Sequence, residues 1–291
     1  MLACYTDRLS VRPGESFALH ASVANGPCRL EIARVGAARE IVLTMDGVEA
    51  GDHPVPPHVD RDGCNWPVAL EVKAGEDWKS GYYDICLTDA AGEETHHFVC
   101  IRPAAGTTGS KAVMVLSTNT YHSYNWWGGA NAYSNVTGLM NGTVPFAQAM
   151  DEAIGVLSTQ RPFVQMIIAP PENPPRLVNM RKRDFREKPW AADPKFMREH
   201  SVSPYDGSAG FLHKWEHAFV AWAEAEGYVL DFVTDYDLDV DQSILENYES
   251  AYFVGHSEYW SGNERAQVER FVDAGGNVAI LSGNTCFWKV R

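Results

Sequence analysis

Apolar positions in the first third of the chain fall in short runs at 16–23, 28–35, 68–72, 82–88 and 96–101, with Pro13-Gly14, Gly26-Pro27, Asp62-Gly63 and Gly92 between them. Runs of this length, closed by residues that favour turns, predict strands, and their spacing predicts a β-sandwich. Residues 103–110 are then small and flexible, and the pattern changes after them. The expected boundary is near residue 105, with an Ig-like β-sandwich at 1–105 and an α/β domain at 106–291.

In the second part the period switches between strand and helix. An apolar run at 112–116 predicts the first strand. Phe211, Leu212, Trp215, Phe219 and Trp222 recur at helical spacing before Gly227, and 228–233 reads as the next strand. After an acidic connection at 235–241 come an apolar run at 251–254, a helix with Val268, Phe271 and Val272 on one face, Gly275-Gly276, and a strand at 278–281. Repeated βα winding predicts a parallel sheet. No Gly-x-Gly-x-x-Gly follows the first strand, so a dinucleotide site is not indicated. The segment 119–208, rich in Gly, Pro, Asn and Trp, is too long for a βα loop and predicts a lid over a site. The last strand is followed by Cys286, Phe287 and Trp288 rather than a covering helix, which predicts further chain or a partner surface there.

Composition narrows the function classes. With 45% hydrophobic and 21% charged residues over 291 positions the chain is an ordinary globular one, and a formal net charge of -14 opposes nucleic-acid binding. Asp7 and Arg8 interrupt any secretory signal and no run reaches membrane-spanning length, so a cytoplasmic location is expected. The six cysteines are dispersed without Cys-x-x-Cys spacing and read as buried thiols. Two glycosylation sequons, at Asn135 and Asn141, carry no weight without secretion.

The richest chemistry lies in Gly255-His256-Ser257-Glu258-Tyr259-Trp260, at the end of a predicted buried strand. His256 and Glu258 are two apart, so an extended backbone sends both side chains the same way. Ser261 and Glu264 form a capping-box pattern that starts the next helix only after the pair. The pair then occupies the strand-to-helix crevice where open α/β sheets bind ligands. A third donor would come from the end of the first strand, where Tyr121, His122, Tyr124 and Tyr133 are concentrated. Phenolate, imidazole and carboxylate make a hard anionic set that suits ferric iron. The alternative is a satisfied core histidine beside a solvated glutamate. A rival metal motif is His213-Lys214-Trp215-Glu216-His217, which matches the inverted zincin pattern for zinc with Glu216 as base. No Gly-x-Ser-x-Gly elbow exists, and Cys286 beside Phe287 and Trp288 reads as packed rather than activated. The basic cluster around Arg181, Lys182 and Arg183 reads as a solvated patch.

Four segments taken together resemble the large subunit of N,N-dimethylformamidase and its wider family. They are Thr120-Tyr121-His122-Ser123-Tyr124-Asn125-Trp126-Trp127-Gly128-Gly129; Gly227 to Leu238 with its Val233-Thr234-Asp235-Tyr236-Asp237; Gly255 to Trp260; and Gly275-Gly276-Asn277 through Gly283-Asn284-Thr285-Cys286-Phe287-Trp288. The resemblance covers about residues 112–291. It implies a flavodoxin-like sheet similar to class I glutamine amidotransferases, without their cysteine nucleophile. It also implies a mononuclear iron, ferric in its resting form, held by a tyrosine, a histidine and a glutamate. His256 and Glu258 match the His-x-Glu; for the tyrosine, Tyr133 is the first choice and Tyr124 the second. The implied reaction is hydrolysis of a small linear N-substituted amide, with the general base unassigned. Tyr124, Trp126, Trp127, Tyr259, Asn284 and Trp288 are the expected substrate-lining residues. A homo-oligomer or a small accessory subunit is the implied partner, and the same crevice acting as a non-catalytic binding module is the alternative.

Overall fold

A computed structural model of the chain describes residues 1–133, 155–168, 209–212 and 215–291. Its first part contains two sheets. Strands β1 (Leu2–Thr6), β3 (Ser16–Val23) and β6 (Val68–Lys73) pair antiparallel in the order β1-β3-β6. Strands β2 (Ser10–Val11), β4 (Cys28–Val35), β5 (Arg39–Val48), β7 (Gly81–Thr88) and β8 (Glu94–Ile101) form the second sheet in the order β2-β8-β7-β4-β5. Phe17, Leu19 and Val72 from the first sheet share one core with Leu30, Ile32, Ile85 and Val99 from the second. The short helix α1 (Val59–Asp62) lies between β5 and β6 in the chain.

The five-stranded sheet is buried on its other face too. Tyr82, Phe98 and Cys100 of β7 and β8 pack with Met114, Phe211 and Phe232 from the second part of the chain. A strand covered on both sides has no polar face, which is why β7 is buried almost throughout instead of alternating. β5, at the edge of that sheet, is the opposite case and leaves Ile41, Val42 and Met45 exposed.

The second part is built on a parallel sheet of β9 (Ala112–Leu116), β10 (Asp231–Thr234), β11 (Ser250–His256) and β13 (Asn277–Gly283). The order is β10-β9-β11-β13, with every pairing parallel. The chain therefore goes from β9 to one side, then returns to the other side of β9 for β11. Connections that leave a strand pair in opposite directions open a crevice at the carboxyl ends of those strands. Around the sheet lie α2 (Thr118–Tyr124), α3 (Gln165–Ile168), α4 (Glu216–Ala225), α5 (Asp235–Val240), a 3₁₀ turn (Ile244–Asn247) and α6 (Gly262–Asp273). A two-strand parallel pair, β12 (Tyr259–Ser261) with β14 (Trp288–Val290), closes the region after β11.

The capping box at the start of α6 is present with both of its hydrogen bonds, Ser261 Oγ taking the Glu264 N–H and Glu264 taking the Ser261 N–H. A second box, Thr234 with Asp237, starts α5. Other local readings need correction. α4 does not bury the aromatic stripe: Trp222 is 54% exposed, and the buried positions are Glu216, Val220 and Ala223. Phe211 and Leu212 lie in a turn before that helix. On α6, Val272 is 49% exposed while Gln267, Val268 and Phe271 face inward. β10 begins at Asp231, leaving Tyr228 and Val229 exposed before it. Apolar residues at helical spacing set which faces can be buried, and the positions of neighbouring elements decide which is.

Polar ties join the two parts. Arg34 Nη2 meets Glu224 Oε1 at 2.6 Å, the Ala37 N–H donates to Glu224 Oε2 at 2.7 Å, and the Phe232 N–H donates to Ser80 Oγ at 2.7 Å. β13 is an edge strand, with Ile280 and Leu281 exposed. Among the described residues no helix is long and apolar enough to cross a membrane.

Candidate metal centre

The crevice between β9 and β11 gathers the chemistry. β9 leads through Ser117 directly into α2, so Thr120, Tyr121 and Tyr124 are carried across the carboxyl end of the sheet. Tyr121 and Tyr124 are three apart and diverge to different partners. The Tyr121 hydroxyl donates to Glu216 Oε1 at 2.5 Å, and the Tyr124 hydroxyl donates to Glu258 Oε2 at 2.9 Å. His256 Nε2 lies 3.2 Å from that same Glu258 oxygen. The side chains of His256 and Glu258 therefore do converge, as their spacing in an extended segment predicts.

The 256–258 segment is held on several sides. Gly255 adopts φ 88°, a left-handed conformation that costs other residues, and a Cβ there would meet Glu216 Cγ at 3.2 Å. The Ser257 N–H donates to Ser282 Oγ at 2.7 Å, and the Trp260 indole N–H donates to Ser257 Oγ at 2.8 Å. The Glu258 N–H donates to Thr120 Oγ1 at 3.0 Å, while the Glu258 carbonyl accepts from the Trp288 N–H at 3.0 Å.

Above the pair lie more phenols. The Tyr133 ring is centred 4.9 Å from Tyr124 and 6.4 Å from Tyr259, and Tyr124 is 5.3 Å from His256. Burial pushes the hydroxyl pKa values of Tyr124, Tyr133 and Tyr259 well above the usual phenol range; the hydrogen bond with Tyr124 pushes Tyr133 the same way, the one with Tyr133 does so for Tyr259, and the nearby Glu258 adds to both. The Tyr133 loop is set by Asn131, whose side chain donates to the Tyr124 carbonyl at 3.2 Å and accepts the Tyr133 N–H at 2.9 Å. Beneath it Arg161 is fully buried, and its guanidinium donates to the carbonyls of Asn125 at 2.8 Å, Trp127 at 2.5 Å and Ala130 at 3.1 Å.

Other candidate residues separate from this cluster. His122 is buried against Phe163, with ring centres 4.7 Å apart, and burial holds its pKa well below the usual imidazole range. Trp126 is buried in the core, and Trp127 packs edge-on against Trp66 at 5.9 Å. Asn284 is exposed in a turn with φ 48°, and Trp288 is half exposed against Phe287; no described side-chain contact joins either to the tyrosines. In the rival zincin motif, His213 lies outside the described residues. His217 Nε2 meets the Gly36 carbonyl at 3.0 Å, and Glu216 is taken by Tyr121, so these two side chains are committed elsewhere. The Cys286 thiol is free and half buried, as packing rather than activation predicts. The cluster at Arg181–Arg183 also lies outside the described residues.

The donor set fits a hard, highly charged cation. Glu258 is 3% exposed, and among the described residues its carboxylate meets no lysine or arginine. A buried carboxylate with only neutral phenols and an imidazole around it is short of positive charge. A cation among these oxygens and the imidazole nitrogen would supply it and would lower the phenol pKa values that burial raises. Thr120, Asn131 and Arg161 had no sequence signal of their own, since each acts through backbone groups rather than through a spaced pattern of donors.

No curated protein matches the chain. Among solved structures, a Paenibacillus sp. cycloisomaltooligosaccharide glucanotransferase is similar at 14% identity over 46% of this chain and 19% of that one, with a TM-score of 0.26, too low to support any conclusion. The family described as N,N-dimethylformamidase beta subunit-like, C-terminal, matches residues 29–291, which takes in most of the five-stranded sheet, without β2, as well as the whole parallel sheet and its crevice. The chain belongs to that family.

Proposed function

We propose that the protein is an iron-dependent hydrolase of a small N-substituted amide, with Tyr133, His256 and Glu258 holding the metal. The observation that carries this reading is the convergence of Tyr124 and His256 on one buried Glu258 oxygen, with the Tyr133 ring tilted against that of Tyr124, at the carboxyl ends of β9 and β11. The family name points to the same amide chemistry. In this reading the parallel sheet is the flavodoxin-like, glutamine amidotransferase-like domain, and the two sheets before it form a β-sandwich.

When bound, ferric iron would polarise an amide carbonyl and acidify a water. The chain's own part is positioning. Thr120 and the Trp288 N–H fix the backbone of Glu258, and Asn131 and Arg161 fix the loop that presents Tyr133. Tyr259 remains protonated and offers a hydroxyl donor to the amide oxygen, because burial disfavours its anion, while Tyr124 gives its own hydroxyl hydrogen to Glu258. The burial of Tyr124, Glu258 and Tyr259 keeps bulk water from the cluster and favours a small, largely apolar substrate. The family name carries the words beta subunit, and we infer a small accessory subunit as partner.

The test is metal content by plasma mass spectrometry, with a visible spectrum, on protein expressed with added iron. Near-stoichiometric iron and a tyrosinate-to-ferric absorption band, both lost in His256→Ala, are expected, followed by hydrolysis in a screen of N-substituted formamides. Iron-free protein from iron-rich growth rules the reading out.

A further inference from the structure

A second group of donors lies on the five-stranded sheet, apart from the tyrosine cluster. Cys86 on β7 stands directly opposite His96 on β8, and Glu94 is two residues before His96 on the same face. One sulfur, one imidazole nitrogen and one carboxylate oxygen there lie within 4.8 Å of one another. His96 Nε2 is 3.7 Å from Cys86 Sγ and 3.8 Å from Glu94 Oε2. The other imidazole nitrogen, Nδ1, meets Asp84 Oδ1 at 2.9 Å, and the second Asp84 oxygen accepts from Arg39 at 2.8 Å. In its neutral form, an imidazole that donates Nδ1–H to a carboxylate presents the lone pair of Nε2, here toward Cys86 and Glu94. Ligating histidines are characteristically oriented by such a carboxylate. Gln165 fixes the backbone from both sides, accepting the His96 N–H at 3.0 Å and donating to the His96 carbonyl at 3.3 Å.

We propose that Cys86, Glu94 and His96 form a zinc site, with Asp84 as the residue that orients His96. The donor chemistry selects the ion: thiolate with imidazole suits zinc, whereas the phenol-rich crevice suits a harder cation. The geometry agrees, since bonds of about 2.3 Å to sulfur and about 2.1 Å to nitrogen in a tetrahedral ion set the two ligand atoms roughly 3.6 Å apart. Cys86 and Asp84 are buried and Glu94 is exposed, so the ion sits at the rim of the sheet with its fourth position open to solvent. Binding releases the thiol proton of Cys86, and that of His96 where it carries one, to solvent.

Cobalt titration of the full chain tests this, because a thiolate-to-cobalt charge-transfer band in the near ultraviolet requires sulfur and the tyrosine crevice offers none. One equivalent giving that band, displaced by zinc and absent in Cys86→Ser, is the expected result. Glu94→Gln, on an exposed side chain that the fold does not depend on, weakens binding about tenfold or more, and Asp84→Asn weakens it roughly 10- to 100-fold. Absence of the band in the unaltered chain, its survival in Cys86→Ser, or unchanged affinity in Glu94→Gln each overturns the proposal. In any of those cases His96 is simply the salt-bridge partner of Asp84.

Discussion

Tyr121 donates its hydroxyl hydrogen to Glu216, joining α2 to the first residue of α4 beside Gly255. This buried pair lies behind the crevice rather than in it. Burial raises the Glu216 carboxyl to about 8, against the opposing pull of the Tyr121 hydroxyl and the Ser117 backbone. The folded state thus holds a proton that the unfolded chain releases above about pH 4. The stability it contributes is fully present below the unfolded pKa and is lost as pH rises toward 8. Asp235, raised to about 7 by burial, acts in the same direction, so the comparison needs a single-site variant. Glu216→Gln is expected to fall less in melting temperature than the unaltered chain between pH 5 and pH 9, by a few degrees. Differential scanning fluorimetry across that range checks it; parallel curves for the two proteins mean that Glu216 is ionised throughout.

The two tyrosines beside Glu258 should separate by role. Tyr133→Phe is expected to lose most of the iron and the charge-transfer band. Tyr124→Phe, which removes only a hydrogen bond to Glu258, should keep the band and shift it, with iron content reduced less than twofold. Resonance Raman of the two variants distinguishes them, and the reverse result would assign the ligand to Tyr124.

Arg161 is a buried cation paid in carbonyls, three of them on the segment between Tyr124 and Tyr133. Burial lowers its pKa to about 10, which still leaves it charged at neutral pH. Arg161→Met strands those carbonyls, at a cost of about 3 kcal/mol or more in urea denaturation. Arg161→Lys recovers little of the loss, since a single ammonium cannot span the fork of donors.

Glu224 clasps Arg34 and the Ala37 N–H across the two parts of the chain. Burial opposes its ionisation, but those two partners outweigh burial and hold its carboxyl below the usual range. Its contribution is present above the unfolded pKa and is lost as pH falls through the lower, folded value. Glu224→Gln is expected to cost about 1–2 kcal/mol at pH 7 and less at pH 3, by chemical denaturation at both.

Much of the strand pattern was readable because turn residues bracket it: β3 and β4 span the runs at 16–23 and 28–35. The Ser261–Glu264 box placed the start of α6, and the His256-x-Glu258 spacing brought the His256 ring to the Glu258 carboxylate. Three-dimensional neighbours decided the rest. Trp222 and Val272 sit at helical spacing yet face solvent, because no sheet lies opposite them. Cys86, Glu94 and His96 come together only through antiparallel pairing of β7 with β8, and their separate positions carry no motif. The tie between Arg161 and the 125–130 carbonyls is a side-chain-to-backbone contact, which leaves no trace in residue spacing.

The parallel register between β9 and β11, Val113 opposite Ala251 and Val115 opposite Phe253, has a consequence for how the protein matures. The phenols follow one strand and the His-x-Glu pair follows the other, more than a hundred residues later in synthesis. Non-local parallel pairing is slow, because a long loop must close before its contacts repay the lost chain entropy. Tyr124 and Glu258 meet only after that closure. If the proposed metal site is occupied, its loading would follow folding, and a nascent chain released before β11 has docked would hold no complete donor set, whatever the iron supply.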